Sequence, residues 1–551
     1  MQKEFYAPFP EGYAKGMTKY IVVFGTVMSG LGKGIFCSSL AKLLEMRKIN
    51  VVPIKFDGYL NQDAGTLNPY RHGEVFVLRD GTETDMDFGT YERILNAKLD
   101  KDNYLTGGKL FQIVLNKERE GEYLGRDVQI IPHVTGEIKY FIRNLAMKRD
   151  ADVVLIEIGG TVGDFENGYF IEGMREFAYE EGRDNVFFIA MTYVIEPFSL
   201  GEQKSKPAQL GLRALLSLGI QPDMLACRSE KYLNENIKEK LSIYSNVKLD
   251  NVIGLHDQKS VYAIPLYLKE NFVDKKIIEK LNLKADNTNF DKEERELNKY
   301  IHDLNTSIKK VTIGITGKYT KISDSYASIV KALEHAGIAN NALVHIKWID
   351  TEEFDESKLE DIDGMIVPGG FGSRGVEGKI RYIKYARENK IPFLGICYGF
   401  QMALVEFARN VLKLNDAHTT EVNPDTKNPV ICLLPEQMDV ETKGGTMRLG
   451  ERGINVKQGS IVHNLYGSTH IKERFRHRYE CNPKYIEDFE NNGVIFSGNA
   501  PEQPIMQILE LNTKAHPFFV GVQYHPEFTS KVNKPNPLFY GLINASLKNI
   551  E

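Results

Sequence analysis

Cys397 stands between two glycines in PFLGICYGFQ, where an apolar run ending at residue 396 meets helical spacing over residues 400–409. That pattern is a strand-to-helix elbow. The tight turn lifts the side chain to the top of a sheet, the glycines relieve crowding, and the helix N-terminus favours a thiolate. Most free cysteines are buried structural residues, but the flanking glycines favour a nucleophile. A nucleophile needs a base and an acid that orients it. Both occur late in the chain, in VQYHPEFT after another apolar run: His525 to take the thiol proton and Glu527 to hold the imidazole tautomer. PGGFGSRG, residues 368–375, follows a third apolar run, and its backbone N–H groups can meet an oxyanion. Together these residues meet the requirements for acyl transfer through a thioester.

A second constellation lies near the start. GTVMSGLGKG, residues 25–34, follows a short apolar run and precedes helical spacing. Small residues let backbone N–H groups approach phosphate oxygens, and Lys33 can reach the outer phosphates. The loop departs from the standard pattern, because Gly34 replaces the hydroxyl residue that would bind Mg²⁺. The metal must then be held by carboxylates at strand ends. Asp87 in GTETDMDFG and Glu157 after VVLI are the candidates. The plainer alternative is that each acid only faces water.

The elements that position these groups are legible. Residues 20–24 and 51–56 read as buried strands flanking a helix over 35–48, and 153–156 as another strand. A second α/β opening has strands at 311–316, 343–348 and 364–367 and a helix over 323–335. The expected fold is α/β, with two α/β domains. A P-loop-like N-terminal domain spans 18–285, and a C-terminal domain with a central, mostly parallel sheet spans 310–551. Residues 286–309, charged and poor in large apolar clusters, are expected to be a linker that can be helical in part. Residues 1–17 are expected to be a flexible extension.

Net charge is -5, without the basic excess usual for a protein that lives on nucleic acid. The five cysteines, Cys37, Cys227, Cys397, Cys432 and Cys481, have neither zinc-knuckle nor redox spacing, which fits a reducing compartment. The N-terminus lacks the apolar core of a signal peptide, and no apolar run is long enough to span a bilayer. The expectation is a cytoplasmic protein that binds neither nucleic acid nor membrane.

Over residues 19–285 the ordered series SGLGKG, HGEVFV, DGTETDMDFGTYERI, NKEREGEYLGRDVQIIPHVT, EIGGTVGDFE and KSKPAQ resembles the synthase domain of the CTP synthase family. From residue 310 onward the chain resembles a class I glutamine amidotransferase, and GGTMRLG (444–450) and RHRYE (476–480) match the version in that family. The resemblance implies an ATP site at Gly30, Leu31, Gly32, Lys33, Gly34 and Ile35, with Lys55 and Asp87, and Mg²⁺ on Asp87 and Glu157. It implies UTP or CTP contacts at Ser29, Asp164, Phe165, Glu166, Lys204, Ser205, Lys206, Pro207, Ala208, Gln209 and Lys240. It implies glutamine contacts at Gly370, Phe371, Tyr398, Gly399, Phe400, Gln401, Glu421 and Arg478, beside the catalytic Cys397, His525 and Glu527. The lysines suit a triphosphate, and Arg478 with Glu421 suits the two charged ends of an amino acid.

The activity implied is a ligase of pyrimidine biosynthesis: ATP-driven amination of UTP to CTP with nitrogen from glutamine or free ammonia. Also implied are activation by GTP, inhibition by CTP and a homotetramer able to form filaments. Gly58 replaces the family's usual Pro, Thr26 a Gly and Tyr398 a common Leu, changes that touch loop geometry and not charged ligands. Two rivals remain open: another glutamine-dependent amidoligase, and an inactive scaffold of the same fold.

Overall fold

The computed structural model describes residues 6, 8–95, 99–318, 323–434, 437 and 445–550. Residues 1–5 and 7 of the N-terminal extension, and Gly444 of GGTMRLG, lie outside the described residues. The chain divides into two compact units: Met1–Asp63 with Thr90–Ile301, and Ala64–Gly89 with His302–Glu551.

The first unit is built on seven parallel strands. Their spatial order is Tyr104–Thr106, Val51–Asp57, Val153–Ile158, Lys19–Gly25, Val186–Tyr193, Met224–Ser229 and Val252–His256. A parallel sheet covered on both faces needs apolar residues on both sides of each strand. Accordingly every residue of Val51–Asp57 and of Val153–Ile158 is buried. The chain reverses its direction of progress beside Lys19–Gly25, so the carboxyl ends of the central strands open a crevice there.

Residues 8–17 are not a loose extension. Tyr6 donates to Glu137 at 2.6 Å, and Tyr13 donates to Glu181 at 2.8 Å. The Phe9 ring lies 4.0 Å from the guanidinium carbon of Arg143, a fully buried side chain that donates to Glu181 at 2.8 Å. A buried charge needs partners, and this segment supplies part of the cover. The stretch read as a linker forms a helix, Phe290–Thr306, and the division between units falls inside it.

The second unit carries a nine-stranded sheet. Ala342–Asp350, Lys309–Gly317, Gly364–Val367, Phe393–Ile396 and Phe519–Val522 run parallel, and Met506–Leu511, Val494–Asn499, Arg448–Val456 and His470–His477 extend it antiparallel. Ala64–Gly89, distant in sequence, is part of this unit. The backbone N–H of Ser328 donates to the Glu74 carboxylate at 3.0 Å, Arg474 donates to the Val77 carbonyl at 2.9 Å, and Phe76 packs on Phe528. Among the described residues, no helix is long and apolar enough to cross a membrane.

Candidate functional site

Strand Phe393–Ile396 delivers Cys397 to the elbow, and helix Tyr398–Asn410 leaves it. Cys397 has φ 49° and ψ -96°, a sparsely populated conformation for a residue with a side chain. The glycines beside it are required by space. A Cβ on Gly399 would lie 2.1 Å from the Val367 carbonyl oxygen, and one on Gly395 2.8 Å from the Gly399 carbonyl carbon. The Cys397 N–H donates to the Val522 carbonyl at 2.7 Å, which ties the elbow to the neighbouring strand.

That neighbouring strand leads directly to His525. Its Nδ1 lies 2.7 Å from a Glu527 carboxylate oxygen, and both residues are buried. Burial alone would keep the ring neutral, but the Glu527 carboxylate and the adjacent Cys397 outweigh it and push the ring up to about 10. Its surroundings therefore favour the protonated imidazole, the form able to give a proton to a leaving nitrogen. Cys397 and His525 line a cavity of about 100 Å³ with Gly369, Gly370, Phe371, Arg476, Glu74 and Val75.

Of the remaining glutamine candidates, Gly370 and Phe371 line the same cavity and the others lie elsewhere in this unit. Gln401 donates to the Tyr479 carbonyl at 3.0 Å, while its own Oε1 is buried with no partner among the described residues. Glu421 accepts from the Gly372 N–H at 2.8 Å, and Tyr398 donates to the Gly372 carbonyl at 2.8 Å. Burial raises the Glu421 carboxyl, partly offset by the Gly372 bond and Lys318. Arg478 is held by Gln437 at 2.6 Å and Thr446 at 3.1 Å. Phe400 is fully buried and belongs to the core beneath the elbow.

In the first unit, the glycine loop ends at Gly32, whose φ is 80°, and helix Lys33–Glu45 begins with the lysine itself. Lys33 reaches back to donate to the Gly160 carbonyl at 2.8 Å. Lys55 and Glu157 are paired in register on adjacent strands and both are buried. Tyr91 donates to Glu157 at 2.9 Å. A buried carboxylate at the sheet's carboxyl end, with lysines nearby, suits a metal that is completed by phosphates and water. Among the described residues, no group of three or more His, Cys, Asp or Glu side chains has metal-ligand geometry. Asp87 opens helix Met86–Ile94 and falls in the second unit.

The pyrimidine candidates also fall in the first unit. Ser29, Asp164, Phe165 and Glu166 are exposed, and Asp164 accepts from the Thr161 N–H at 2.8 Å. Ser205 precedes helix Lys206–Ser217, with Pro207 in its first turn and Gln209 donating to the Ser205 hydroxyl at 3.2 Å. Ala208 is buried beneath that turn. Lys204 pairs with Glu202, whose carboxyl is lowered first by that bond and also by Lys240. Glu202 and Lys240 share a polar cavity of about 400 Å³.

Residues 19–283 match the family described as CTP synthase N-terminus, and residues 321–545 match glutamine amidotransferase class-I. A CTP synthase of Thermococcus gammatolerans is 49% identical over 534 residues, covering 96% of this chain and 99% of that protein. The chain belongs to the CTP synthase family. A CTP synthase of Clostridium kluyveri is 47% identical, covering 96% of this chain and 98% of its own. The solved glutaminase domain of Trypanosoma brucei CTPS with bound acivicin is 33% identical, covering 43% of this chain and 94% of that one, with a TM-score of 0.40.

Within that family frame, the sequence reading left several residues unnoticed. Gln523 donates to Cys397 Sγ at 3.5 Å and accepts from Gln401 at 3.2 Å. It sits two residues before His525, directly after strand Phe519–Val522, which pairs with the nucleophile's strand, so its place beside the HPE triplet was the available signal. Arg228 and Asp257 pair at 2.9 Å and, with Leu31, Gly32, Ile35 and His256, line a cavity of about 320 Å³ beside the glycine loop. Only tertiary structure brings the ends of Met224–Ser229 and Val252–His256 to that loop.

Proposed function

We propose that this member of the CTP synthase family aminates UTP to CTP at the expense of ATP, with ammonia drawn from glutamine. The observation that carries the glutaminase half is the aligned set of Cys397, His525 and Glu527 around one cavity.

Cys397 sulfur attacks the glutamine side-chain carbonyl carbon, and the carbonyl π electrons move onto oxygen. Backbone N–H groups at Gly370 and Tyr398 stabilise that oxyanion. Imidazolium His525 protonates the leaving nitrogen, the C–N bond breaks, and ammonia leaves a thioester. The now neutral His525 takes a proton from water, whose oxygen attacks the thioester and releases glutamate. Glu527 keeps the ring oriented and balances its charge throughout.

In the synthase half, the glycine loop and Lys33 hold the ATP phosphates, and the cavity with Arg228 and Asp257 takes the adenosine end. The 4-oxygen of UTP attacks the γ-phosphorus, N3 gives up its proton and ADP leaves. Ammonia adds at C4, loses a proton, and inorganic phosphate departs. Phosphorylation is required because the unmodified oxygen is a poor leaving group. Glu157 would hold Mg²⁺, which when bound offsets phosphate charge. Lys204, Lys206 and Lys240 offer cations to the UTP phosphates, and the same segments bind CTP as an inhibitor. The family frame adds GTP activation, a homotetramer able to assemble into filaments, and a cytoplasmic location.

The test is conversion of UTP to CTP with glutamine and with ammonia, each with and without ATP. Synthesis should require ATP and UTP in both cases, and Cys397→Ala should abolish only the glutamine-driven rate. No dependence of ADP release on UTP would point to a different amidoligase. Absence of all activity would point to a scaffold.

A further inference from the structure

Lys379 is a buried cation in unfavourable surroundings. It lies in the first turn of helix Val376–Glu388, where the helix dipole opposes positive charge, and it is 1% exposed. Other cations crowd it: Lys318 from the strand Lys309–Gly317 side and Arg374 from the loop before its own helix. Asp350, at the end of Ala342–Asp350, is the acid that acts on it, and among the described residues it forms no ion pair. Burial first, then Lys318 and Arg374, lower its ammonium to about 7.

Its position gives the reason for tolerating this. A Cβ placed on Gly370 would lie 3.8 Å from Lys379 Nζ and 3.9 Å from the Tyr398 ring. Nζ lies 5.2 Å from the centre of that ring. The ammonium therefore lies beside Gly370, which lines the cavity of Cys397, and beside the ring of Tyr398, the residue that follows the nucleophile. The same loop is pinned from its other sides. Lys318 donates to the Phe371 carbonyl, Glu421 accepts from the Gly372 N–H, and Tyr398 donates to the Gly372 carbonyl.

We propose that Lys379 is a positioning residue for glutamine hydrolysis: a buried ammonium that holds the Gly370 loop against Tyr398 and stabilises, through these backbones, the oxyanion formed when Cys397 attacks. The proposal rests on the glutaminase reading above. A low-dielectric site strengthens the attraction between the ammonium form of Lys379, which prevails below about pH 7, and a developing anion. It also explains why the charge is costly at rest, since an unpaired buried cation destabilises the folded state.

The test compares wild type with Lys379→Met and Lys379→Arg in the full chain. The readouts are glutamine hydrolysis, ammonia-driven CTP synthesis, Cys397 alkylation by iodoacetamide, and thermal midpoint at pH 6. Lys379→Met should lower kcat for hydrolysis roughly a hundredfold with KM changed less than threefold. Ammonia-driven synthesis and alkylation, which form no oxyanion, should stay within about twofold, and the thermal midpoint should hold or rise. Lys379→Arg, which keeps the charge, should recover part of the lost rate.

Unchanged hydrolysis, a loss confined to KM, or a parallel fall in alkylation would each overturn the proposal. Should Lys379→Met fail to fold, the proposal falls, because a merely structural lysine predicts that result. Wild-type hydrolysis that survives in Cys397→Ala would instead overturn the glutaminase reading, independently of any Lys379 result.

Discussion

Gln523 Nε2 lies 3.5 Å from Cys397 Sγ and donates a hydrogen bond to it. Each residue directly follows one of two parallel neighbouring strands, Phe393–Ile396 and Phe519–Val522, and Gln401 fixes the Gln523 amide by donating to its oxygen at 3.2 Å. A donor aimed at sulfur favours the negative form that attacks carbon. Gln523→Met should therefore lower kcat/KM for glutamine about tenfold, the value of one such bond, and leave ammonia-driven synthesis intact. Steady-state rates with both nitrogen sources check this. A loss of both would mean that the side chain serves the fold.

Glu527→Gln removes the carboxylate that holds a proton on His525. The folded ring is pushed up to about 10, against an ordinary value near 6.5. The stability this contributes is fully present below about pH 6.5 and is lost as pH rises through about 10. The variant should lower glutaminase kcat by roughly a hundredfold or more. Its deficit in thermal midpoint relative to wild type should shrink as pH is raised from 7 to 10. A deficit independent of pH would assign the carboxylate a purely packing role.

Gly399→Ala tests the elbow itself. Its Cβ would fall 2.1 Å from the Val367 carbonyl oxygen, inside any allowed contact with a rigid strand. Glutamine hydrolysis should be lost with a clear drop in thermal midpoint, whereas a larger side chain at Gly372, which has open space around its Cβ position, should cost less. Its φ of 76° still gives that substitution a backbone cost of about 1 kcal/mol.

Arg228→Ala separates the adenosine cavity from the glutaminase. The side chain pairs with Asp257 at 2.9 Å and reaches the Leu31 carbonyl at 3.4 Å beside the glycine loop. KM for ATP should rise severalfold with either nitrogen source, while glutamine hydrolysis without ATP stays unchanged. An unaltered KM for ATP would remove this cavity from the nucleotide site.

Tyr6→Phe probes the N-terminal segment. Its hydroxyl donates to Glu137 at 2.6 Å, and Lys117 pairs with the same carboxylate at 3.0 Å. Loss of a hydrogen bond to a charged group should cost about 1.5–3 kcal/mol. Chemical denaturation of the first unit's transition should show it. A change below about 0.5 kcal/mol would mean that the segment is docked without contributing to stability.

Local geometry written in short stretches of chain was legible beforehand. The glycine-flanked Cys397, the HPE triplet and the lysine-bearing glycine loop each depend on neighbours a few residues away, and local sterics and helix ends force their geometry. The strands were legible for the same reason, because parallel strands buried on both faces must be apolar throughout. The N-terminal segment was misjudged because its aromatic residues look isolated in sequence. Only folding places Glu137, Arg143 and Glu181 under them.

By itself, then, the sequence determined two α/β halves, a glycine-flanked Cys397 after a strand, a late His525-Pro-Glu527 triplet and a lysine-bearing glycine loop. Tertiary structure alone decided that Ala64–Gly89 joins the unit of Cys397, that Gln523 faces the sulfur, that Arg228 meets the glycine loop, and that Lys379 is buried behind Gly370. The physical reason is range. Periodicity and turn chemistry act over a few residues, whereas desolvated charge and hydrogen bonding act between whatever side chains the sheet order brings together.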